Sequence, residues 1–326
     1  MESSFKLLHK ADLDLQYQTK SSKRLTLTDF SGPFITHGID IWSPTDDSDE
    51  VYILAINHLP NPAFVASNGK LGPQARSQVE LFHHTIGSSE AKHLRSIWNP
   101  LIRTPNDIYA KNANSFYVTN DHYYRKGEMR TLEDVGFGLT PWSDIVYIEL
   151  DDLHAQDASE GVTATIAKDN IQNPNGFGHG KEDSEILICR AAAGVMEFAK
   201  SEPNDNLTIT ESLQVPNTID NPFYFHDPYV EETGRDASGY VIAGLAQAIK
   251  FPSPADPVVV WLAQRGERPG SWVHNKLFQD DGKIMNTASI AVLIAIDPKK
   301  NGGKKQAWLY VTGPMSSGVG VSTVDL

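Results

Sequence analysis

Cysteine is almost absent from this chain. Cys189 is the only one among 326 residues, so an internal disulfide is excluded and nothing requires an oxidising compartment. It follows the apolar residues 186–188, and we expect it to be a buried small side chain and not a nucleophile. Long apolar runs are missing too, and residues 1–4 do not resemble the start of a signal peptide. We therefore expect no membrane segment in this chain.

Positive charge is also scarce. The chain has 28 Lys and Arg against 41 Asp and Glu, which gives a formal net charge of -13. Nucleic acid and anionic membrane surfaces are bound through patches of Lys and Arg, so neither is expected as a partner. Apolar residues make up 40% of the sequence, which is enough for a sizeable core.

Short strands separated by turn residues dominate what is present. Helical periodicity is rare, and this pattern predicts an all-β chain forming one domain over residues 1–326. Residues 241–248 fit either a helix or a strand, and we predict a strand. Residues 126–143 are polar and predict a loop or short helix that lies over a substrate site. Radial repetition of small sheets in a propeller would protect the edges of so many strands.

A polar pair of residues precedes an aliphatic strand at several places. Taken singly, Asn and Asp at strand ends are turn or capping residues. Their recurrence suggests instead that one end of a propeller gathers oxygen donors, of which Ca²⁺ takes about six to eight. The spacings leave room for one blade of roughly 40–50 residues between successive pairs. These pairs are His37-Gly38, Asn106-Asp107, Asn175-Gly176, Asp220-Asn221 and Asn286-Thr287.

Several ordered motifs resemble the serum paraoxonase/arylesterase family of calcium-dependent phosphotriesterase-like propellers, and its fungal-type members more than the vertebrate ones. The similarity covers most of the chain from about residue 34 onward. Each motif alone is weak, whereas their ordered combination is fairly specific. The motifs are His37-Gly38-Ile39, Ala55-Ile56-Asn57-His58, Val79-Glu80-Leu81-Phe82, Pro105-Asn106-Asp107-Ile108, Thr119-Asn120-Asp121-His122-Tyr123, Asn175-Gly176 and Ile219-Asp220-Asn221.

The resemblance implies a six-bladed β-propeller that binds two calcium ions and hydrolyses a small-molecule ester or lactone. Carried over by position, the ligands of the catalytic Ca²⁺ are Asn106, Asn175, Asp220 and Asn221. Those of the structural Ca²⁺ are Asp107 and the carbonyl group of Ile39. His37 is the implied general base, with His58 beside it to orient it or relay the proton. Asp121 and His122 lie near the same ions in the family.

The chain also departs from the family pattern. The family carries an adjacent Glu-Asp pair ahead of the His-Gly step, and the 36 residues before His37 contain no matching pair. The family's cysteine pair is absent as well. We therefore expect an N-terminally shortened member with an incomplete first blade, of which residues 1–36 are the remnant, and weakened calcium binding. As written the sequence suggests the cytoplasm; a missing N-terminal segment would allow secretion or membrane anchoring.

Two other functions stay open at this point. One is a non-catalytic propeller that binds a partner after losing its calcium. The other is a different propeller enzyme, of the strictosidine-synthase-like or gluconolactonase type. Fold alone does not separate these hypotheses, because propellers host many functions.

Overall fold

The computed structural model describes residues 6–7, 23–136, 139–246, 255–268 and 270–326. Short strands dominate these residues, as the sequence predicts. The sequence pattern predicts a strand over residues 6–17, most of which lie outside the described part. Within it, β1 (Lys6–Leu7) is described and pairs with β2 (Lys23–Arg24). The uncertain segment at 241–248 is a strand, since β17 spans Gly239–Leu245, with residues 247–248 outside the described part.

The larger sheets follow one another along the chain. The first, in the order β3-β7-β6-β5-β4, contains β3 (Thr26–Thr28), β4 (Thr36–Trp42), β5 (Glu50–Asn57), β6 (Gln78–Thr85) and β7 (Glu90–Ile97). The second, β11-β10-β9-β8, contains β8 (Pro105–Ala110), β9 (Ser115–Asn120), β10 (Ser143–Leu150) and β11 (Val162–Ile171). The third runs β12 (Pro174–His179), β13 (Ile186–Arg190), β14 (Val195–Ser201) and β15 (Leu207–Gln214). The fourth runs β16 (Thr218–Phe225), β17, β18 (Val258–Arg265) and β19 (Trp272–Asp280), and the fifth runs β20 (Ile290–Ile296), β21 (Gln306–Thr312) and β22 (Gly320–Asp325).

The chain is an all-β propeller-type fold with five blade-like sheets among the described residues. Consecutive strands within each sheet pair with their neighbours, as in the blade of a propeller. The six blades implied by the family resemblance are therefore not confirmed. Part of the predicted first-blade remnant, β3, instead pairs in parallel with β7 at the edge of the first sheet.

Helices are short and few in the described residues. Residues 60–78 are rich in Pro and Gly and predict a loop. Helix α1 (Pro62–Ala66) interrupts this stretch, and the Asn61 side chain caps the helix by accepting a hydrogen bond from the Ala63 amide. Helix α2 (Glu128–Val135) lies within the predicted 126–143 segment, and α3 (Val230–Thr233) follows β16. A 3-10 turn covers Pro298–Lys300. No helix in this described part is long and apolar enough to cross a membrane.

The described residues divide into two compact units. One comprises Met1–Arg125 with Ile145–Ala167, and the other comprises Lys126–Asp144 with Lys168–Leu326. Each has its own apolar core, built from the inward faces of its strands. Cys189 is fully buried in the core of the second unit, which confirms the predicted burial.

Four sheets share one irregularity in the strand that begins their run of consecutively paired strands. We call these strands the first strands: β4, β8, β12 and β16. In β4 the pairing with β5 shifts between Thr36 and Ile39, and in β8 the pairing with β9 shifts between Pro105 and Ile108. The same shift occurs in β12 between Pro174 and Phe177, and in β16 between Ile219 and Pro222. Each bulge contains one of the polar pairs singled out in the sequence. A bulge breaks the ladder locally and turns its side chains in a new direction, so these pairs are presented outside ordinary strand pairing.

Glycine lets neighbouring first strands approach closely at these bulges. A Cβ atom on Gly38 of β4 would lie 2.4 Å from Asp107 Oδ1 and 2.5 Å from the Asp107 Cα atom of β8. In the second unit, a Cβ atom on Gly176 of β12 would lie 2.2 Å from Asn221 Oδ1 of β16. The same contact between a glycine and the second residue of the next polar pair thus occurs once in each unit.

We expect Gly38→Ala and Gly176→Ala each to lower the free energy of unfolding by about 1–3 kcal/mol, because the added methyl group overpacks the contact with Asp107 or Asn221. Thermal or urea unfolding monitored by circular dichroism measures this loss. Gly318→Ala is the matched control, since a Cβ atom there has no neighbour within 4 Å. Equal stabilities of all three variants would show that the close approach imposes no constraint.

Candidate active site

Two histidines and a serine form a hydrogen-bonded chain in the first unit. His37 Nδ1 lies 3.1 Å from His58 Nε2, and His58 Nδ1 lies 2.9 Å from the Ser77 hydroxyl oxygen. Ser77 is fully buried, whereas His37 is exposed and His58 half-buried. The chain therefore runs from a solvent-facing imidazole to a fixed hydroxyl in the interior. The structure brings the two histidines predicted from the sequence into direct contact.

Strand pairing sets the positions of this pair. His37 lies in the bulge of β4, and His58 directly follows the last residue of β5, its partner strand. The His58 amide donates to the Ile35 carbonyl at 2.9 Å, and the Ile35 amide donates to the Asn57 side chain at 2.9 Å. These two hydrogen bonds fix the segment before β4 to the end of β5.

A buried polar network supports the end of β5 and the segment before β4. Glu80 is fully buried and accepts hydrogen bonds from Asn57 at 2.8 Å, from Ser96 at 2.6 Å and from Gln78 at 2.8 Å, with His93 Nε2 at 3.0 Å. Burial acts to raise the pKa of Glu80, but these hydrogen bonds, led by that with His93, hold it below its usual value. The charged carboxylate therefore fixes Asn57, and through it the segment that leads to His37.

Both imidazoles are held in their neutral form. Desolvation lowers the pKa of His37, although the negative charge of Asp121 opposes the shift. Desolvation also lowers the pKa of His58 to about 4, with further contributions from His37 and from the positive charge of Arg125. Part of the His37 ring reaches solvent, so the lowering of its pKa comes from the protein that covers the rest of the ring. A neutral imidazole at neutral pH can accept a proton.

The oxygen donors predicted in the first unit lie beside the histidine pair in the fold. Asn106 and Asp107 are 6% and 5% exposed, in the bulge of β8. The Asp107 amide donates to the Thr119 hydroxyl at 3.0 Å, which anchors the bulge to β9. Ile39 lies just beyond the His37-Gly38 step, where the pairing of β4 with β5 resumes. Asp107 and the strand that carries Ile39 are thus neighbours through the close approach at Gly38.

The donors predicted in the second unit form a matching group. Asn175 precedes Gly176 in the bulge of β12, and Asp220 and Asn221 occupy the bulge of β16 against it. Burial raises the pKa of Asp220 to about 7, although part of the residue's surface reaches solvent. The Asn221 amide donates to the Ser289 carbonyl at 2.8 Å.

The chemistry of these donors fits a hard cation such as Ca²⁺. The predicted ligands offer only carboxylate, amide and carbonyl oxygens, the donor types that Ca²⁺ prefers. The desolvated carboxyl group of Asp220 is one that a nearby cation would keep ionised. No group of three or more His, Cys, Asp or Glu side chains able to hold a metal occurs within the described ranges. The predicted set does not require one, because amides and a backbone carbonyl make up most of it.

Some site features were missed by the sequence reading. Ser77 had no role assigned, and Glu80 entered only as part of a motif. No pattern marks Ser77, whereas a charged residue within the apolar stretch 79–82 is the signal that could have identified Glu80. The polar surroundings of His84 in the sequence predict a surface histidine, but His84 is 1% exposed and bonds through Nδ1 to the Glu90 carbonyl at 2.7 Å. His179, which the sequence predicts to lie in a loop, is instead the exposed last residue of β12.

The fold and the site together define a class of protein: an all-β, propeller-type chain with a hydrogen-bonded histidine pair and with oxygen donors in the bulges of its first strands. Comparison with known families narrows this class. The family model described as arylesterase matches residues 7–229, which is more than half of the chain. The chain therefore belongs to the arylesterase family, as the sequence motifs predicted.

Curated relatives are distant in sequence. Serum paraoxonase/arylesterase 2 of Gallus gallus is 27% identical over 284 residues, covering 86% of this chain and 70% of that protein. Serum paraoxonase/arylesterase 1 of Mus musculus is 28% identical over 188 residues, covering 58% of this chain. The match spans 45% of the length of the mouse protein, and the same share of serum paraoxonase/arylesterase 2 of Rattus norvegicus.

Similarity to solved structures is weaker. A luciferin-regenerating enzyme aligns over 89% of this chain and 91% of its own, with 11% identity and a TM-score of 0.40. The periplasmic gluconolactonase of Pseudomonas aeruginosa aligns over 91% of this chain and 86% of its own, with 10% identity and a TM-score of 0.37. Similarities at this level carry no argument about function.

We expect the low pKa of His58 to make stability depend on pH. Its pKa is about 4 in the folded protein and about 6.5 when unfolded, so the unfolded state binds more protons between these values. Stability is then retained above pH 6.5 and falls as pH drops from about 6.5 towards 4. His58→Gln should flatten the dependence between pH 6.5 and 5, measured by urea unfolding at several pH values. His226→Gln, at an exposed histidine, is the control. If stability varied with pH in His58→Gln as steeply as in the wild type, His58 would not be the source of the pH dependence.

Proposed function

We propose that this chain is a calcium-dependent hydrolase of lactones and aryl esters. The hydrogen-bonded chain from His37 through His58 to Ser77 carries the proposal. It supplies a neutral base with a second imidazole behind it, in a member of the arylesterase family. The chain spans less than half of the first two curated relatives, so activity of the chain by itself is part of the proposal.

The exposed imidazole of His37 is the proposed general base. Its Nδ1 atom is engaged with His58, which leaves Nε2 to take a proton from water. In the tautomer with the proton on His37 Nδ1, His37 donates to His58 Nε2. That proton can pass to His58 as His37 Nε2 accepts the proton from water. His58 Nδ1 then donates to the Ser77 hydroxyl oxygen, which fixes the tautomer and the orientation of the ring.

The proposed reaction is hydrolysis by the activated water. The water oxygen forms a bond to the carbonyl carbon, and the bond between that carbon and the ester oxygen breaks. The proton held by the imidazole pair moves to the departing oxygen, giving an acid with a phenol, or a hydroxy acid from a lactone. Asp121 lies near enough to both rings to favour their charged forms electrostatically while the proton is held.

Calcium is the proposed cofactor. The ligands carried over from the family are Asn106, Asn175, Asp220 and Asn221 for one ion, with Asp107 and the Ile39 carbonyl for a second. When bound, calcium would polarise the substrate carbonyl and stabilise negative charge on its oxygen. Only one of the four ligands of the first ion is a carboxylate, and fewer charged ligands favour weaker binding.

Replacing the base should abolish most of the turnover. We expect His37→Gln to lower kcat/KM for a δ-lactone and for phenyl acetate by about 10²–10⁴-fold, the usual contribution of a general base. Initial rates from pH-stat and phenol-release assays measure this change. His154→Gln is the control, because His154 lies in a surface loop and hydrogen-bonds through its backbone.

Two results would count against this proposal. Turnover that survives in His37→Gln would indicate another propeller chemistry that does not use this histidine. Folded wild-type protein that hydrolyses neither substrate at saturating calcium would indicate a non-catalytic binding scaffold.

Calcium should also stabilise the fold, because a ligand that binds only the folded state raises the free energy of unfolding. We expect added Ca²⁺ to raise the melting temperature of the wild type and EDTA to reverse the rise. Asn106→Ala and Asp220→Ala should each weaken calcium binding at least about tenfold in calorimetric titration, since each removes an oxygen ligand. Asp281→Ala removes an exposed carboxylate elsewhere and serves as control. Unchanged affinity in both site variants would exclude these residues as ligands.

A further inference from the structure

A cavity in the first unit has a lining that the proposed chemistry does not explain. Its volume is about 530 Å³, within the range of small-molecule sites. One part of the wall is apolar and contains Pro73, Ala75, Pro100, Ile102 and the indole of Trp98. The other part carries the guanidinium groups of Arg76, Arg103 and Arg125. No lining residue is acidic, although acidic residues outnumber basic ones in the chain as a whole.

Aromatic rings and a carbonyl group hold the three arginines in place. Arg76 lies over the Trp98 ring with its guanidinium carbon 4.0 Å from the centroid, and Arg103 lies 4.8 Å over Tyr123. Arg125 donates to the Arg103 carbonyl. Carboxylates outside the lining act electrostatically on Arg76 and Arg125, through Asp157 and Asp121 respectively.

A short backbone ladder connects this cavity to the histidine pair. The Arg76 amide donates to the Leu59 carbonyl at 2.9 Å, and Pro60 pairs with Ala75 in an antiparallel bridge. His58 and its partner Ser77 are the next residues along the same two segments. The charge of Arg125 also acts directly on His58. The arginine-lined cavity therefore begins one residue from Ser77, the hydrogen-bond partner of the imidazole that backs the proposed base.

We propose that this cavity binds the carboxylate of an anionic aryl ester or lactone and so selects the substrate class of the hydrolase. The inference rests on the function proposed above. Guanidinium groups match the planar, two-oxygen geometry of a carboxylate and pair with it through two parallel hydrogen bonds. The apolar wall and the ring of Trp98 accept the aromatic or aliphatic body of the same molecule, so an anion with an apolar body fits better than a small inorganic ion.

Two esters of similar intrinsic reactivity test this specificity: 4-acetoxybenzoate, which carries a carboxylate, and phenyl acetate, which does not. The measured quantity is the ratio of their kcat/KM values. We expect Arg76→Gln and Arg103→Gln each to lower this ratio about tenfold or more, mainly through the KM of the anionic ester. Arg103→Lys keeps the charge and should recover part of the loss. Arg268→Gln removes an exposed arginine elsewhere and should leave the ratio unchanged.

Binding without turnover separates this inference from the proposed activity. We expect 4-acetamidobenzoate, which is not hydrolysed as an ester, to bind the wild type at least tenfold more tightly than uncharged acetanilide in calorimetric titration. Arg76→Gln and Arg103→Gln should remove that preference. If neither ester is hydrolysed while this arginine-dependent binding persists, the hydrolase proposal fails and the carboxylate site stands.

Three other results would overturn the carboxylate site itself. The first is hydrolysis of phenyl acetate with an ester ratio that does not respond to either arginine variant. The second is equal binding of 4-acetamidobenzoate and acetanilide. The third is displacement of 4-acetamidobenzoate by inorganic phosphate at equal concentration, which would mark a site for small free anions and not a substrate subsite. Circular dichroism melting of each variant identifies any loss that comes from unfolding.

Discussion

The close approach of first strands at their bulges is the constraint on which the candidate site depends. At Gly38 the approach leaves no room for a side chain, because Asp107 of the next first strand already occupies it. At Gly176 the side chain and backbone of Asn221 do the same. The bulges release these residues from regular pairing, and the glycines let the strands meet there. One sequence pattern, a polar residue followed by glycine, therefore serves both the fold and the presentation of polar side chains.

The histidine pair is supported by polar groups that cost free energy to bury. A buried carboxylate is unfavourable unless hydrogen bonds compensate for the lost hydration. Glu80 receives such bonds from several sides, and Asn57 uses its whole amide group, since it also donates to the Pro33 carbonyl at 3.1 Å. A fully satisfied network of this kind is rigid. The segment leading to His37 is thus held in place by the buried carboxylate of Glu80, acting through Asn57. Glu80 has no part in the proposed chemistry.

The positions of the polar pairs were more predictable from the sequence than the contacts that support them. The polar pairs at 37–38, 106–107, 175–176 and 220–221 follow from turn chemistry at strand starts, and all four lie in bulges at the beginning of a sheet's first strand. The fifth pair, Asn286-Thr287, precedes β20 without lying in a strand, and Thr287 has a positive φ of 67°. A bulge depends on the register of two strands, and no single sequence shows that register.

Long-range contacts account for most of what the sequence did not reveal. Arg95 is 2% exposed and donates to the carbonyls of Asp152 and Glu160, which lie about sixty residues away along the chain. Nothing near Arg95 in the sequence indicates that a loop closes over it. The expectation of six blades came from the family pattern, because local strand signals do not set a number of sheets; the described residues show five blade-like sheets and do not confirm a sixth.

One cation links the electrostatics of the imidazole pair to those of the neighbouring cavity. Arg125 lines the cavity and also contributes to the low pKa of His58. A positive charge there opposes protonation of His58 and so favours the neutral form that can receive a proton from His37. Asp121 acts in the opposite sense on both histidines, since its negative charge favours their protonated forms, and it also favours the charged form of Arg125. A carboxylate bound among the arginines would offset part of the first effect and raise the proton affinity of His58. An anionic substrate would then strengthen the proton acceptor behind the residue that activates water.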